Sequence, residues 1–264
     1  MLLQVENLEV SYGKQVTVSN INLQLEAGEV LSIVGESGSG KTTVIRAIMG
    51  CLPHNGRVTV GNIYFSGNNL LHNTRDDWRH MYGSEMSMIF QDSGNMINPI
   101  RQIGNQFIDY IKNQSQNINN ASAYNLACSM LAKMHLSNPE NIMKSYPFEL
   151  SGGMRQRVGI AMAMIFKPKL LLADEPTSAL DVTTQAQIIK QLMEIRKEYN
   201  VAIILVTHNL GVAANVSDKI IVMRQGKIVE AGSNEMIINK PQVEYTKQLL
   251  KSVPVIGGLC YYEK

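Results

Sequence analysis

The chain has 264 residues, of which 45% are hydrophobic and 17% are charged, and its formal net charge is +2. This length and composition allow one large domain with a well-covered core. The weak net charge and the lack of a dense Lys/Arg block argue against nucleic acid as a partner.

Other signals narrow the class of protein. The longest apolar runs are well short of the roughly 18 residues that a membrane span needs, and the N-terminus lacks the pattern of a signal peptide. The cysteines, Cys51, Cys128 and Cys260, lie far apart with no CxxC spacing. We therefore expect neither a zinc site nor a disulfide framework.

The N-terminal part is predicted to be mainly strands. Residues 1–34 contain three strand-like runs, and the last, "VLSIVG", is short and predominantly apolar, which is typical of a strand buried on both faces of a parallel sheet. Thr42–Met49 has helical spacing. Residues 57–70 alternate again, so we expect them to join the first strands in an antiparallel layer.

The rest of the chain changes character twice. Residues 92–166 are polar and helical, whereas the following segment alternates apolar strands with a helix, as in a βαβ unit with a parallel sheet. The predicted elements are helices at 101–113 and 121–136, strand Leu170–Ala173, helix Thr183–Tyr199, strand Val201–Thr207, a hairpin at 219–230 about Gln225-Gly226, and a helix at 233–251.

The strongest chemical motif is "GESGSGKT" at Gly35–Thr42. It follows a buried strand and opens a helix, the context in which G-x-x-x-x-G-K-[ST] binds nucleotide phosphates through backbone N–H groups. Lys41 is expected to reach the terminal phosphates, Thr42 to ligate Mg²⁺ and Thr43 to contact the α-phosphate. The predicted phosphate-binding positions are Gly35, Ser37, Gly38, Ser39, Gly40, Lys41, Thr42 and Thr43.

Polar residues also follow the buried strands. Asp174 and Glu175 end "LLLADE", where ligands of open α/β sheets bind. Asp174 would hold Mg²⁺ and Glu175 would polarise an attacking water, although adjacent carboxylates without such a context usually form a solvated corner. His208 ends "AIILVTH", where a structural hydrogen bond is the alternative. Gln91 ends "MSMIFQ" and indicates nothing alone.

A second glycine-rich run, "LSGGMRQR", occupies residues 150–157. Its serine and two glycines precede an apolar helical pattern, which prepares a helix N-terminus for an anion. This run has no lysine, whereas Gly35–Thr42 has the complete G-x-x-x-x-G-K-[ST] pattern, so the role of the second run is not evident from its residues alone.

Taken in order, these motifs resemble the nucleotide-binding subunit of an ABC transporter, and the resemblance covers essentially the whole chain. It implies an α/β fold: a P-loop NTPase parallel-sheet core, an N-terminal antiparallel β layer and an inserted helical subdomain. The single domain, 1–264, would comprise a nucleotide-binding core at 1–91 and 167–235, a helical subdomain at 92–166, and a C-terminal helix and tail at 236–264.

The resemblance also implies roles for individual residues, with ATP and Mg²⁺ as ligands. Tyr12 would stack on adenine, Gln91 would sense Mg²⁺ and the water, and His208 would contact the γ-phosphate. Ser178–Asp181 would lie along a dimer seam. Three residues would bind the γ-phosphate of the ATP held by the other protomer: Ser151, Gly152 and Gly153. Met154, where many members have glutamine, is expected to have little effect.

Within this family, Gln91–Pro99, residues 145–163 and residues 245–254 resemble peptide and nickel importer ATPases. Ser93 departs from the usual proline. The residues after Pro254 include one cysteine, Cys260, so an iron–sulfur cluster is not expected. The short segment after Pro254 makes the chain more similar to nickel or metal-chelate importer subunits than to the longer peptide-importer subunits.

The implied function is the ATP-hydrolysing subunit of an importer of peptides, nickel or a metal chelate, peripheral on the cytoplasmic face of the membrane. Its partners would be a second ATPase subunit, two transmembrane permeases and, indirectly, an extracytoplasmic substrate-binding protein. The alternatives are a soluble ABC ATPase acting on ribosomes or DNA, or another transporter branch. A single cassette, with only 109 residues between Lys41 and Ser151, argues against the soluble alternative.

Overall fold

The computed structural model describes residues 1–91, 96–115, 117–178 and 180–252, together with the strands at 255–256 and 259–260. Ser93, Ala179 of the Ser178–Asp181 segment, and Pro254 lie outside the described residues, as does the side chain of Cys260. The chain forms two compact units, Met1–Trp78 with Ala202–Lys264, and Arg79–Val201. Among the helices that are described, none is long and apolar enough to cross a membrane.

The first unit contains the expected antiparallel layer. Its strands are β1 (Leu3–Tyr12), β2 (Gln15–Leu25), β4 (Gly56–Phe65) and β5 (Asn68–Asn69), in the order β2-β1-β4-β5. Val5 of β1 pairs with Leu23 on one side and Ile63 on the other, and all three are buried. Alternating burial along β1 and β2 gives the layer one apolar face, as the sequence predicted.

The same unit contains parallel strands. β3 (Val30–Val34) lies between β8 (Ala202–Thr207) and β9 (Lys219–Arg224), parallel to both, and β10 (Lys227–Ser233) pairs antiparallel with β9. Every residue of β3 and β8 is buried, which confirms the reading of their continuous apolar runs. A short antiparallel pair, β11 (Val255–Ile256) and β12 (Leu259–Cys260), ends the described chain.

The C-terminal region corrects one expectation. Instead of a single helix over 233–251, the structure has α9 (Asn234–Asn239) and α10 (Glu244–Lys251). Pro241 lies between them, lacks an N–H and disfavours helix at the residue before it. Glu230 of β10 accepts hydrogen bonds from the backbone N–H groups of Gln242 and Val243, at 2.7 and 3.3 Å, and so fixes the start of α10. The other helices with residues in this unit are α1 (Lys41–Ile48), α2 (Arg75–Met81), which runs into the second unit, and α8 (Leu210–Val216).

The second unit combines two parallel strands with most of the longer helices. β6 (Met86–Ile89) pairs with β7 (Leu170–Asp174), and all of their residues are buried. The helices are α3 (Ile103–Gln114), α4 (Asn120–Lys133), α5 (Pro139–Lys144), α6 (Gly152–Met164) and α7 (Val182–Tyr199). The predicted helices at 101–113, 121–136 and 183–199 are confirmed as α3, α4 and α7 within three residues at each end. Parallel strands with an antiparallel layer confirm the predicted α/β class.

Candidate functional site

The loop Gly35–Thr42 directly follows β3 and includes the first two residues of α1. Lys41, the first residue of α1, is buried, and its Nζ donates to the backbone carbonyls of Gly35 and Glu36, at 2.7 and 2.8 Å. The ammonium therefore lies across the loop rather than pointing to solvent. It is placed to meet any anion that the loop receives.

Two glycines of this loop occupy places where no side chain fits. A Cβ on Gly35 would be 2.2 Å from Met223 O, and a Cβ on Gly40 would be 2.4 Å from Val18 Cγ1. Gly40 also has a φ of +99°, which L side chains rarely adopt. The backbone can thus curve tightly and leave its polar groups facing a ligand.

The loop also fits phosphate chemically. Gly40, at the N-cap of α1, has no side chain to cap the helix, and a helix N-terminus favours anions. Ser39 is buried, and its Oγ has no hydrogen-bond partner among the residues that the structure describes. An unsatisfied buried hydroxyl is costly unless a ligand supplies a partner.

The turn between β9 and β10 braces the loop. The N–H of Gly226 donates to Ser39 O at 3.0 Å, and the Gly226 carbonyl accepts from Ser19 N–H at 2.9 Å. A Cβ on Gly226 would be 2.1 Å from Thr17 O, so this close approach requires glycine. The sequence predicts the Gln225-Gly226 turn, but it carries no sign that this turn contacts the loop Gly35–Thr42.

His208 lies at the same sheet edge as this loop. Val34 of β3 is in register with Thr207 of β8, and Gly35 and His208 are the residues that follow them. His208 is exposed. Tyr12 ends β1 with a half-exposed ring against Gly56, where a Cβ would be 2.6 Å from the ring.

The second unit brings the candidate acidic residues and Gln91 to one edge. Ile89 of β6 is in register with Ala173 of β7, so Gln91 and Glu175 each lie two residues beyond a paired position. Asp174 is 2% exposed, whereas Gln91 is exposed. Glu175 has a φ of +44°, which is uncommon outside glycine and indicates local backbone strain.

Two glutamines hold the segment that follows Glu175. Gln156 of α6 is buried and donates from Nε2 to the carbonyl of Pro176. Gln185 of α7 donates from Nε2 to Thr177 Oγ1 at 2.9 Å. Neither residue is predictable from the sequence, because a glutamine on a helix gives no local sign of a distant partner.

The run 150–157 forms a separate recess in the second unit. Ser151 is the N-cap of α6, with its Oγ accepting from Met154 N–H at 3.3 Å, and Ser151 and Gly152 are exposed. A Cβ on Gly153 would be 2.9 Å from Thr184 Cγ2. Asp181, the N-cap of α7, accepts from Thr184 N–H at 2.9 Å, and this bond lowers the pKa of its carboxyl. The recess, of about 400 Å³, is lined by Ser151, Gly152, Gly153, Met154, Arg157, Leu180, Asp181, Thr184 and Gln187.

Two neighbouring arginines hold the surface of α6. Arg155 donates from Nη1 to Leu150 O at 2.6 Å, and Arg157 donates from Nη2 to Gln187 Oε1 at 3.0 Å. The latter bond joins α6 to α7 along the recess. Ser151 and Gly152 remain exposed at the start of α6, as an external ligand requires.

Comparison with known proteins gives a consistent picture. Residues 18–178 match the family model described as "ABC transporter". The oligopeptide transport ATP-binding protein OppD of Salmonella typhimurium is 42% identical over 258 residues, covering 96% of this chain and 76% of that protein. The dipeptide transport ATP-binding protein DppD of Bacillus subtilis is 42% identical over 258 residues, covering 96% and 77%.

A solved structure supports the fold. The ATP-binding cassette MJ0796, in a dimeric post-hydrolysis state bound to ADP and Pi, superposes with a TM-score of 0.77 at 26% identity. The match covers 88% of this chain and 99% of the cassette.

Proposed function

The chain belongs to the ABC transporter family, and on that premise we propose that it is the ATP-hydrolysing subunit of an importer that takes up peptides. The observation that carries the proposal is the loop Gly35–Thr42. Gly35 and Gly40 admit no Cβ, the buried Ser39 Oγ lacks a partner among the described residues, and Lys41 lies across the loop. These are the features that a triphosphate needs.

We propose that the loop and the start of α1 bind the phosphates of ATP. Lys41 Nζ would exchange its two carbonyl acceptors for oxygens of the terminal phosphates, a charge-assisted and therefore stronger contact. Thr43 would contact the α-phosphate, and Tyr12 would offer its ring face to adenine. The positions proposed for the phosphates are Gly35, Ser37, Gly38, Ser39, Gly40, Lys41, Thr42 and Thr43.

Hydrolysis requires a polarised water and charge neutralisation at the phosphates. We assign Glu175 as the group that takes a proton from the attacking water, and His208 as a contact to the γ-phosphate. Thr42, Asp174 and Gln91 offer the hydroxyl, carboxylate and amide oxygens that Mg²⁺ accepts. Bound with ATP, Mg²⁺ would neutralise charge developing on the phosphate oxygens.

In this proposal the run 150–157 contributes to the ATP site of a partner subunit. Ser151, Gly152 and Gly153 would contact the γ-phosphate held by a partner ATPase subunit, which explains why the run has no lysine of its own. ATP would then favour a closed dimer, because its γ-phosphate gains contacts only in that state. The comparison cassette MJ0796 is itself dimeric.

Relatives named for oligopeptide and dipeptide transport support a peptide as the cargo. We propose that the chain acts with a second ATPase subunit and two permeases on the cytoplasmic face of the membrane, and that an extracytoplasmic binding protein delivers the peptide. The named relatives favour peptide over nickel or a metal chelate, and over a role on ribosomes or DNA.

Two measurements test this proposal. The purified chain should bind ATP, and Lys41→Ala should abolish that binding without loss of folding. Cells lacking the gene should lose uptake of labelled peptides but not of ⁶³Ni²⁺, and the parent gene should restore it. Undiminished ATP binding by Lys41→Ala would overturn the proposed ATP site. Loss of nickel uptake alone would overturn the proposed peptide cargo.

A further inference from the structure

The C-terminal helix α10 reaches the phosphate-binding loop. Tyr245, its second residue, is 4% exposed and lies in an apolar cluster with Val34, the residue that precedes the loop. Val243, Leu249 and Leu250 pack against the same cluster. The helix therefore packs into the same apolar core as the residue that precedes the loop.

The phenol of Tyr245 makes one specific contact with the loop. Its Oη accepts a hydrogen bond from the backbone N–H of Glu36 at 3.1 Å. That N–H and the Gly35 carbonyl are the two ends of a single planar peptide group. Because Lys41 Nζ donates to the same carbonyl, Tyr245 and Lys41 hold opposite ends of one peptide.

The contact is supported from two directions. The Arg224 guanidinium lies 4.7 Å from the centre of the Tyr245 ring, and the turn that follows Arg224 holds Ser39 of the loop through Gly226. On the other side, Glu230 fixes the backbone just before α10. The tyrosine hydroxyl is therefore held in place by groups outside the loop itself.

We propose that Tyr245 is a positioning residue for the phosphate-binding loop, through which α10 sets the affinity of the chain for ATP. The inference rests on the proposed function of the loop. Without the phenol, the Glu36 N–H loses its acceptor, and the Gly35–Glu36 peptide can rotate. The loop must then pay to restore its shape each time ATP binds, which weakens binding but leaves the chemical step unaltered.

The test uses the full-length purified chain and the Tyr245→Phe variant, which removes only the hydroxyl. We expect the Kd for ATP to rise about 3- to 10-fold, the effect of one hydrogen bond. Amide hydrogen exchange should quicken in residues 35–41 but not in β1 or β2. Tyr110→Phe is the matched control, since Tyr110 lies in the second unit against Phe166 and should leave the Kd unchanged.

A second variant tests whether the effect on the Kd arises from the position of Tyr245 and not from a general loss of stability. Glu230→Gln weakens the attachment of Gln242 and Val243 while keeping Tyr245, and it should raise the Kd in the same direction by a smaller factor. If both variants are folded and bind ATP as tightly as the parent, the role of Tyr245 is wrong. If Lys41→Ala also binds ATP normally, the failure lies with the proposed function of the loop itself.

Discussion

Gln156 donates from its Nε2 to the backbone carbonyl of Pro176, the residue after Glu175. Gln156 lies on α6, the helix that begins at Ser151, and both partners are buried. One helix thus presents the exposed serine–glycine run at its start and holds the segment of the proposed catalytic carboxylate from its first turns. A shift of α6 on contact with a partner would therefore change the position of Glu175.

Replacing Gln156 should slow hydrolysis without weakening ATP binding. Gln156→Met keeps the size of the side chain but leaves the Pro176 carbonyl without this donor. We expect ATP turnover at saturating ATP to fall about tenfold, with the Kd for ATP unchanged, because the loop Gly35–Thr42 is untouched.

Gln191→Met is the matched control for this change. Gln191 is buried on α7, and its Oε1 has no partner within the described part of the chain. Its turnover should equal that of the parent. Equal turnover in Gln156→Met and the parent would show that the bond to Pro176 does not position Glu175.

Glu175→Gln should separate ATP binding from hydrolysis. The amide preserves size but cannot accept the proton, so hydrolysis should fall by a factor of about 10² to 10⁴. ATP should still bind, and the stalled protein should accumulate as a closed dimer detectable by size-exclusion chromatography with light scattering. Hydrolysis at the parent rate would show that another group acts as the base.

Gly35→Ala should damage both the loop and the fold. The new Cβ would lie 2.2 Å from Met223 O, a backbone atom that cannot easily move. We expect a loss of about 1–3 kcal/mol in the free energy of unfolding and at least a tenfold loss of ATP affinity, measured by urea denaturation and equilibrium binding.

Gly67→Ala is the control for the glycine experiment. Gly67 has a φ of +84° but open space around its Cβ position, so this variant meets only the backbone penalty. It should lose roughly 1 kcal/mol of stability and bind ATP normally. Normal ATP binding by a folded Gly35→Ala would contradict the close packing assigned to the loop.

Asp181 should make part of the stability depend on pH. The Thr184 N–H that donates to its carboxylate lowers its pKa, so the carboxylate form is favoured in the folded chain. This contribution is present above the pKa of the unfolded state, near 3.9, and is lost as the pH falls through the lower folded value.

The measurement is the urea midpoint at pH 7 and pH 3 for the parent and Asp181→Asn. Asparagine retains a capping oxygen but does not titrate. The change in urea midpoint between pH 7 and pH 3 should be smaller in Asp181→Asn than in the parent. An equal difference in both proteins would mean that Asp181 does not contribute to acid sensitivity.

Local sequence signals were sufficient for some of these features and not for others. The buried strand β3, the loop after it and the helix α1 were predictable, because apolar runs and glycine spacing are local. The break at Pro241 was missed by reading periodicity alone. The partners of Tyr245 and Gln156 lie 209 and 20 residues away, and only the folded chain brings them together.

The positive φ of Glu175 belongs to the same class of feature. Nothing in "LLLADEP" indicates a left-handed glutamate, because the surrounding structure imposes that conformation. The sequence therefore offers candidates for the chemistry, whereas the contacts that hold those residues become visible only in the folded chain.

The central claim is that the run 150–157 completes a partner's ATP site, and Ser151→Arg tests it most directly. Two quantities should be measured: ATP binding by the isolated chain, and ATP-driven dimer formation in the Glu175→Gln background. We predict nearly unchanged ATP binding together with loss of the closed dimer. If Ser151→Arg instead weakens ATP binding by the isolated chain as much as Lys41→Ala does, the run serves its own chain's nucleotide and the claim is wrong.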